Sequence, residues 1–279
     1  MRLLATILAL IIIPAALVAI FLLAMRKRYD AAVDRMWSAL AKKGDTEETF
    51  SPQVVEGLPA VARSYFLHAL QPGTPLPVGV ELTMSGTFRA SEKAEWVPFS
   101  ARQILCGPAG FVWKATLKVA GPLALSGADS FFEGEGRVRF FLLGLIPIVN
   151  GSGDTISRSA AGRALIESIW LPSMLLPSRS AVWEGIDERR GKVTLSAGSV
   201  SSSITLTLGE DGGILSGVIP RHRGDEGVLT GPVPFGVTVE KEKTFGGITI
   251  PAGIRAGWEF GNDRYFEFIR AEVEEAEFF

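Results

Sequence analysis

The sequence predicts a β-rich α+β fold: a long antiparallel meander curled into a barrel or half-barrel, with one or two packed helices and an N-terminal transmembrane helix. Three observations predict it. Between residues 78 and 274 polar and apolar residues alternate at period two in about a dozen runs. Gly107-Pro108 and Gly121-Pro122 punctuate the first of these at the 10-to-14-residue spacing of hairpins. Residues 3–25 are uncharged and almost wholly apolar. A sheet of so many strands rarely stays open and flat, so it is expected to curl.

Taken in order, residues 1–25 form the anchor. As a helix the 23 residues from 3 to 25 reach roughly 34 Å, enough to span a bilayer with some tilt. The run is too long for a cleavable signal peptide and ends directly in Arg26-Lys27-Arg28. One cation precedes the segment and six follow it by residue 43, which favours a single-pass protein with its domain on the cytoplasmic side. Long domains are exported regardless of flanking charge, so the side stays open.

Residues 26–50 read as a juxtamembrane helix and linker. Tyr29, Val33, Met36, Trp37 and Leu40 recur at helical spacing, a stripe able to pair with a second copy through residues 26–43, to lie at the lipid surface, or to pack on its own domain. Gly44-Asp45-Thr46-Glu47-Glu48 is the linker. Residues 51–279 then form one β-rich domain. Pro52 and Pro59 open a second helix running to about Leu70.

Strands are predicted at 81–89, 94–105, 110–119, 123–132 and 136–143, with a helix at 155–171 capped by Asp154 and stopped by Pro172. Further strands follow at 181–187, 191–197, 200–208, 213–220, 235–244, 248–259 and 264–274. The uncharged run 140–149 is too short to span a bilayer; it reads as a buried core strand or as a membrane-touching loop.

Composition narrows the chemistry. Twenty-eight Lys+Arg against 30 Asp+Glu leave a charge of −2, with no cationic excess for nucleic acid. One cysteine and two histidines exclude an intramolecular disulfide and the usual zinc sites. Walker, nucleophile-elbow, zincin and kinase motifs are all missing. Cys106 reads as a buried inert thiol, and His68 as a helix-end histidine. Gly134 and Gly136 are expected to break the strand that would carry Asp129, Glu133 and Glu135 on one face, giving a solvated turn. Arg221-His222-Arg223 is a cationic trio that either meets phosphate or carboxylate or caps a loop.

More informative is the stripe Arg163, Glu167, Trp170, which steps of four and three place on one helical face. It reads as an ion pair anchoring the helix to the concave sheet, or as a polar floor orienting the head of an amphipathic ligand in an apolar cavity.

Several strings resemble the signature of an uncharacterised bacterial family, a domain of unknown function. They are Arg63-Ser64-Tyr65-Phe66, Trp96-Val97-Pro98-Phe99-Ser100-Ala101-Arg102-Gln103, Gly110-Phe111-Val112-Trp113-Lys114-Ala115, Gly162-Arg163-Ala164-Leu165-Ile166-Glu167 with Trp170-Leu171-Pro172, and Trp183-Glu184-Gly185-Ile186-Asp187. The match covers about residues 58–260. No activity attaches to that family, so the resemblance implies no catalytic residue, metal ligand or cofactor. The order of elements is similar to the lipoprotein-carrier half-barrels of the LolA, LolB and LppX type, although those carriers are exported. The leading expectation is a membrane-anchored module binding a lipid or other apolar ligand, with candidate contacts Arg102, Trp113, Arg163, Glu167, Trp170 and Trp183. The alternatives are an enzyme acting on a membrane-derived substrate through Asp129, Glu133 or Arg163 and Glu167, and a structural subunit of a membrane complex.

Overall fold

Among the described residues thirteen strands pair into one antiparallel sheet, and the path of the chain between its two edges determines what fills the hollow. The computed structural model describes residues 2–42, 47–224 and 231–279, with backbone alone at 2–9 and 11. Helices α1 (Arg2–Ala41) and α2 (Ala60–Ala69) precede β1 (Val80–Phe88), β2 (Val97–Leu105), β3 (Gly110–Ala120), β4 (Leu123–Phe132), β5 (Glu135–Leu142) and β6 (Ile146–Ser152). After α3 (Asp154–Ile166) come β7 (Val182–Gly185), β8 (Arg190–Ala197), β9 (Val200–Leu208), β10 (Ile214–Arg221), β11 (Val233–Phe245), β12 (Ile248–Trp258) and β13 (Phe266–Phe278).

The spatial order is β6-β5-β4-β3-β2-β1-β13-β12-β11-β10-β9-β8-β7. Two meanders therefore meet where the first strand pairs with the last, Val80 opposite Phe278. One meander runs outward to β6, and the chain returns at the opposite edge in β7. The link between the edges is α3 with three 3₁₀ turns, Glu167–Trp170, Pro172–Leu175 and Pro177–Arg179. It crosses the concave face of the curled sheet, which is a half-barrel. The predicted helix over 155–171 thus ends as an α-helix at Ile166, and Gly153 rather than Asp154 holds the cap position, with Asp154 paired to Arg158 one turn on.

Strand β6 departs from the sequence expectation. Its residues belong to the apolar run 140–149, which splits at the turn Leu143-Gly144, both at positive φ. Ile146 and Ile148 stand exposed on this edge, so the run is a hairpin and not one buried strand. Likewise the expected strand break at Gly134 and Gly136 is half right. Glu133 and Gly134 make the turn, both at positive φ, while Gly136 lies within β5 because α3 packs directly on it. A Cβ there would fall 2.7 Å from the Ile156 carbonyl oxygen and 2.8 Å from Ser157 Cα, and the Gly136 N–H donates to Ser157 Oγ at 2.9 Å. The second helix starts only at Ala60, because Gly57-Leu58-Pro59 separates it from a 3₁₀ turn at Pro52–Val55.

The sheet is buried on both faces at its centre. The concave core takes α2, α3 and the 3₁₀ turns, while Val33 and Leu40 of α1 pack on Ile104, Cys106, Val112 and Ala128 of the convex face. The stripe of residues 29–40 thus packs on its own domain. Polar contacts fix the register: Trp37 Nε1 donates to Glu81 at 3.1 Å, and Lys114 pairs with Asp34 at 2.6 Å. Arg26 bonds Asp30 at 2.9 Å, Ser126 Oγ at 3.2 Å and the Gly144 carbonyl at 3.3 Å. Among the described residues no helix is long and apolar enough to cross a membrane; the span expected at 3–25 lies partly outside the described side chains. Within its described part, Leu10, Ile12, Leu17, Phe21 and Leu23 are exposed. The linker expected at 44–48 lies mostly outside the described residues.

The docking of α1 yields a pH prediction through Tyr29. Its hydroxyl receives the Ala128 N–H at 2.9 Å and donates to the Arg139 carbonyl at 3.1 Å. Burial pushes its pKa from 10.0 up to about 12. The neutral phenol is therefore favoured by folding, so this stability is full below pH 10 and is lost as pH rises toward about 12. Urea melts across that window should show a fall in stability that Tyr29→Phe flattens; equal slopes in the two proteins would contradict this docking.

Candidate functional site

Register brings the polar side chains of the hollow into one row. Gln103 on β2 stands opposite Trp113 on β3, which stands opposite Asp129 on β4. Period two points all three inward, along with Phe99, Ala101 and Leu105. Above this row lies Arg163 of α3. Its Nη1 donates to Asp129 Oδ2 at 2.7 Å, its Nε to Glu167 Oε1 at 2.7 Å and its Nη2 to Gln103 Oε1 at 3.3 Å. Gln103 Nε2 closes the ring by donating to Glu167 Oε2 at 2.8 Å. The guanidinium carbon also sits 4.6 Å from the Phe111 ring centre and 5.1 Å from that of Trp113.

The cluster is largely shielded from water, with side chains 16% (Arg163), 23% (Asp129) and 12% (Glu167) exposed and Gln103 fully buried. Burial alone lowers the pKa of Arg163, but Glu167 and Asp129 more than reverse this and raise it above its ordinary value. One cation thus holds two carboxylates, and both Glu167 oxygens are occupied. Asp129 and Glu167 do meet in one wall, as an acid site would require. Each is nevertheless committed to Arg163, so the group acts as a clamp between α3 and the sheet.

Beside the clamp lies a cavity of about 800 Å³ between α3 and strands of both meanders. Its inner wall is apolar, with Met84, Trp113, Phe140, Ile169, Trp170 and Ile254 among the lining residues. Trp170 is fixed there by its Nε1–H bond to the Pro251 carbonyl at 2.9 Å. The volume lies within the roughly 300–1,000 Å³ of small-molecule sites, and the few converging polar groups fit that class. A second hollow of about 680 Å³ lies under α1 and is more open, with Arg26, Asp30, Asp34, Arg102 and Lys114 among its lining residues.

Of the six candidate contacts, the structure brings Trp113, Arg163, Glu167 and Trp170 together at the cavity. Arg102 lies elsewhere, on the convex face, 67% exposed, paired to Glu81 at 3.0 Å and stacked over Trp37. The parity of Phe99, Ala101 and Leu105 puts residue 102 outside and Gln103 inside, a signal present in the sequence. Trp183 is core at a different place, packed on Tyr65 and Phe66 with its Nε1 bonded to the Leu175 carbonyl at 2.8 Å. Glu133 sits in the β4–β5 turn and Glu135 pairs with Arg137 on the surface, away from Asp129. Sequence reasoning left Arg221 among alternatives, although it lines the cavity.

The fold and the cavity define an open β half-barrel clasping a crossover helix over an apolar hollow. The chain belongs to the family of unknown function DUF6920, which it matches over residues 56–278. No curated protein matches it. Among solved structures it is similar to a Vibrio parahaemolyticus domain described as an outer membrane lipoprotein-sorting protein domain, at 7% identity and a TM-score of 0.41, covering 78% of this chain and 90% of that one. A LolA superfamily protein from Nitrosomonas europaea gives 9% identity and a TM-score of 0.39, covering 79% and 92%. A DUF1329 family protein from Desulfovibrio piger gives 9% and 0.38, covering 72% and 86%. At such low scores these likenesses carry no weight for function.

Removing the shared cation tests the clamp. Arg163→Met leaves Asp129 and Glu167 without their partner, and is expected to lower unfolding stability by about 3–5 kcal/mol in urea melts. A loss below about 1 kcal/mol would mean that water reaches the carboxylates and that the cluster does not hold α3.

Proposed function

We propose that this protein is a membrane-anchored binding module that holds a lipid or other apolar ligand in the hollow of its half-barrel. The observation that carries the reading is the position of the cavity. Phe88, Arg89, Arg223, Trp258 and Phe266 on its wall stand at or just beyond the strand ends on one side of the sheet. On that same side Arg26 is bonded beside Ser126 and the Gly144 turn, so the apolar part of α1 leaves the domain there. We infer from this that the cavity opens toward the side on which residues 3–25 would enter a bilayer. Leu143, Ile146 and Ile148 are exposed at this end and suit contact with lipid.

A structural subunit without ligand would have no use for a hollow of this size, and an enzyme working through Asp129 or Glu167 would need one of them free of Arg163. Both alternatives fit less well than binding. The test is native mass spectrometry of the full chain released from its membrane, with an environment-sensitive apolar fluorophore as the second probe. One bound lipid per chain and saturable uptake of the probe are expected. Leu125→Trp, which fills the cavity wall, should weaken the probe roughly tenfold. A ligand-free chain that takes up no probe would overturn the reading.

The cations after residue 25 favour a cytoplasmic domain. A phosphatase active only outside the cytoplasm, fused to the C-terminus, is expected to stay silent. Activity would place the domain on the far side and leave the binding reading untouched.

A further inference from the structure

Among the described residues the cavity wall carries four arginines and two carboxylates, and both carboxylates belong to Arg163. Arg221 is left with none. It is 8% exposed, and its guanidinium lies against a pair of rings packed edge to face, 4.6 Å from the centre of Phe235 and 4.8 Å from that of Trp258. Its hydrogen bonds go to Ser159 alone, from Nε to the carbonyl at 2.9 Å and from Nη2 to Oγ at 3.4 Å. Nη1 makes no hydrogen bond among the described residues. A guanidinium has five N–H donors, so most of this one's capacity stays uncommitted.

The fold makes room for this group at a cost. A Cβ on Gly162 would lie 2.8 Å from Arg221 Cγ, so the glycine of the Gly162-Arg163 pair lets the Arg221 stem pass α3 while its neighbour forms the clamp. Burial first, and then the charge of Arg163, push the pKa of Arg221 from 12.5 down to about 10, against a smaller upward pull from Asp129 and Glu167. It still carries its charge at neutral pH, but against a desolvation penalty that an anion beside it would relieve.

We propose that the cavity takes an amphiphile whose anionic head, a phosphate or carboxylate, sits on Arg221, with its chain running inward toward Ile169 and Trp170. The proposal rests on the apolar-ligand reading above and adds the chemistry of the head. Arg221 ends β10 on the open side of the cavity, and Arg89 lies on the same wall without an ion pair among the described residues. A chain entering tail first therefore leaves its head among guanidinium groups.

A competition between two amphiphiles with one acyl chain, a lysophosphatidic acid and the matching monoacylglycerol, isolates the head. The full chain in a neutral maltoside is offered both at equal concentration, and the bound populations are read by native mass spectrometry. The charged ligand is expected to win by about tenfold or more, since a hydrogen bond to a charged group contributes about that much. Arg221→Gln should bring the ratio close to one, with monoacylglycerol binding unchanged, and Arg221→Lys should keep most of the preference. Equal binding by the unaltered protein would overturn the anionic head and leave the apolar cavity standing. Binding of neither would remove the binding reading itself. If inorganic phosphate alone displaced the lysophosphatidic acid at low millimolar concentration, the site would be one for a free anion and the proposal would fall. Should Arg221→Gln fail to fold, the wild-type ratio and the lysine variant decide the matter.

Discussion

The rest of the structure depends on how one helix is held inside a sheet too wide to stay flat. Because β1 pairs with β13, the chain must travel from edge strand β6 to edge strand β7, and α3 makes that journey across the concave face. A helix lodged in a hollow needs a fixed height above the sheet. Arg163 sets it by binding Asp129 on β4, Gln103 on β2 and Glu167 at the end of its own helix. At the other end Gly136 lets α3 touch β5 directly, and Trp170 ties the following turn to Pro251 on β12. Where these supports hold the helix off the sheet, apolar walls are left facing each other across a cavity.

Much of the fold was legible in the sequence because period-two alternation and glycine-proline turns are local signals. Strands β1 to β5 and β7 to β13 follow them closely. What failed required knowledge of neighbours. β6 hid in an apolar run because this edge strand, with Ile146 and Ile148 exposed, has no alternation to display, and Leu143-Gly144 offers a single glycine as turn signal. Ile104 and Val112 break the alternation because α1 covers them from outside, which no strand pattern foretells. The central pairing of β1 with β13 is non-local and left no trace in either segment.

The site was legible in part for the same reason. Helical spacing placed Arg163, Glu167 and Trp170 on one face, and they do line the cavity. Period two along Phe99, Ala101 and Leu105 puts Gln103 inside and Arg102 outside, which is why the expected contact at Arg102 lies off the cavity. Asp129 was grouped with Glu133 and Glu135, whereas its real partners came from α3, 34 residues on, and from Trp113 across the sheet. The role proposed for Arg221 rests on both cavity carboxylates being taken by another arginine, a fact of three dimensions.

These elements support one account, in which a clamped helix keeps open an apolar hollow that faces the membrane and receives lipid. Photo-crosslinking in intact membranes tests it most directly. A photoreactive phenylalanine analogue at Ile169, on the cavity wall, is compared with one at exposed Glu135, at the opposite end of β5 from the Gly144 turn. The account predicts lipid-mass adducts on tryptic peptides from position 169 and few or none from position 135. Adducts at 135 alone, or none at 169 with the fold intact, would contradict it.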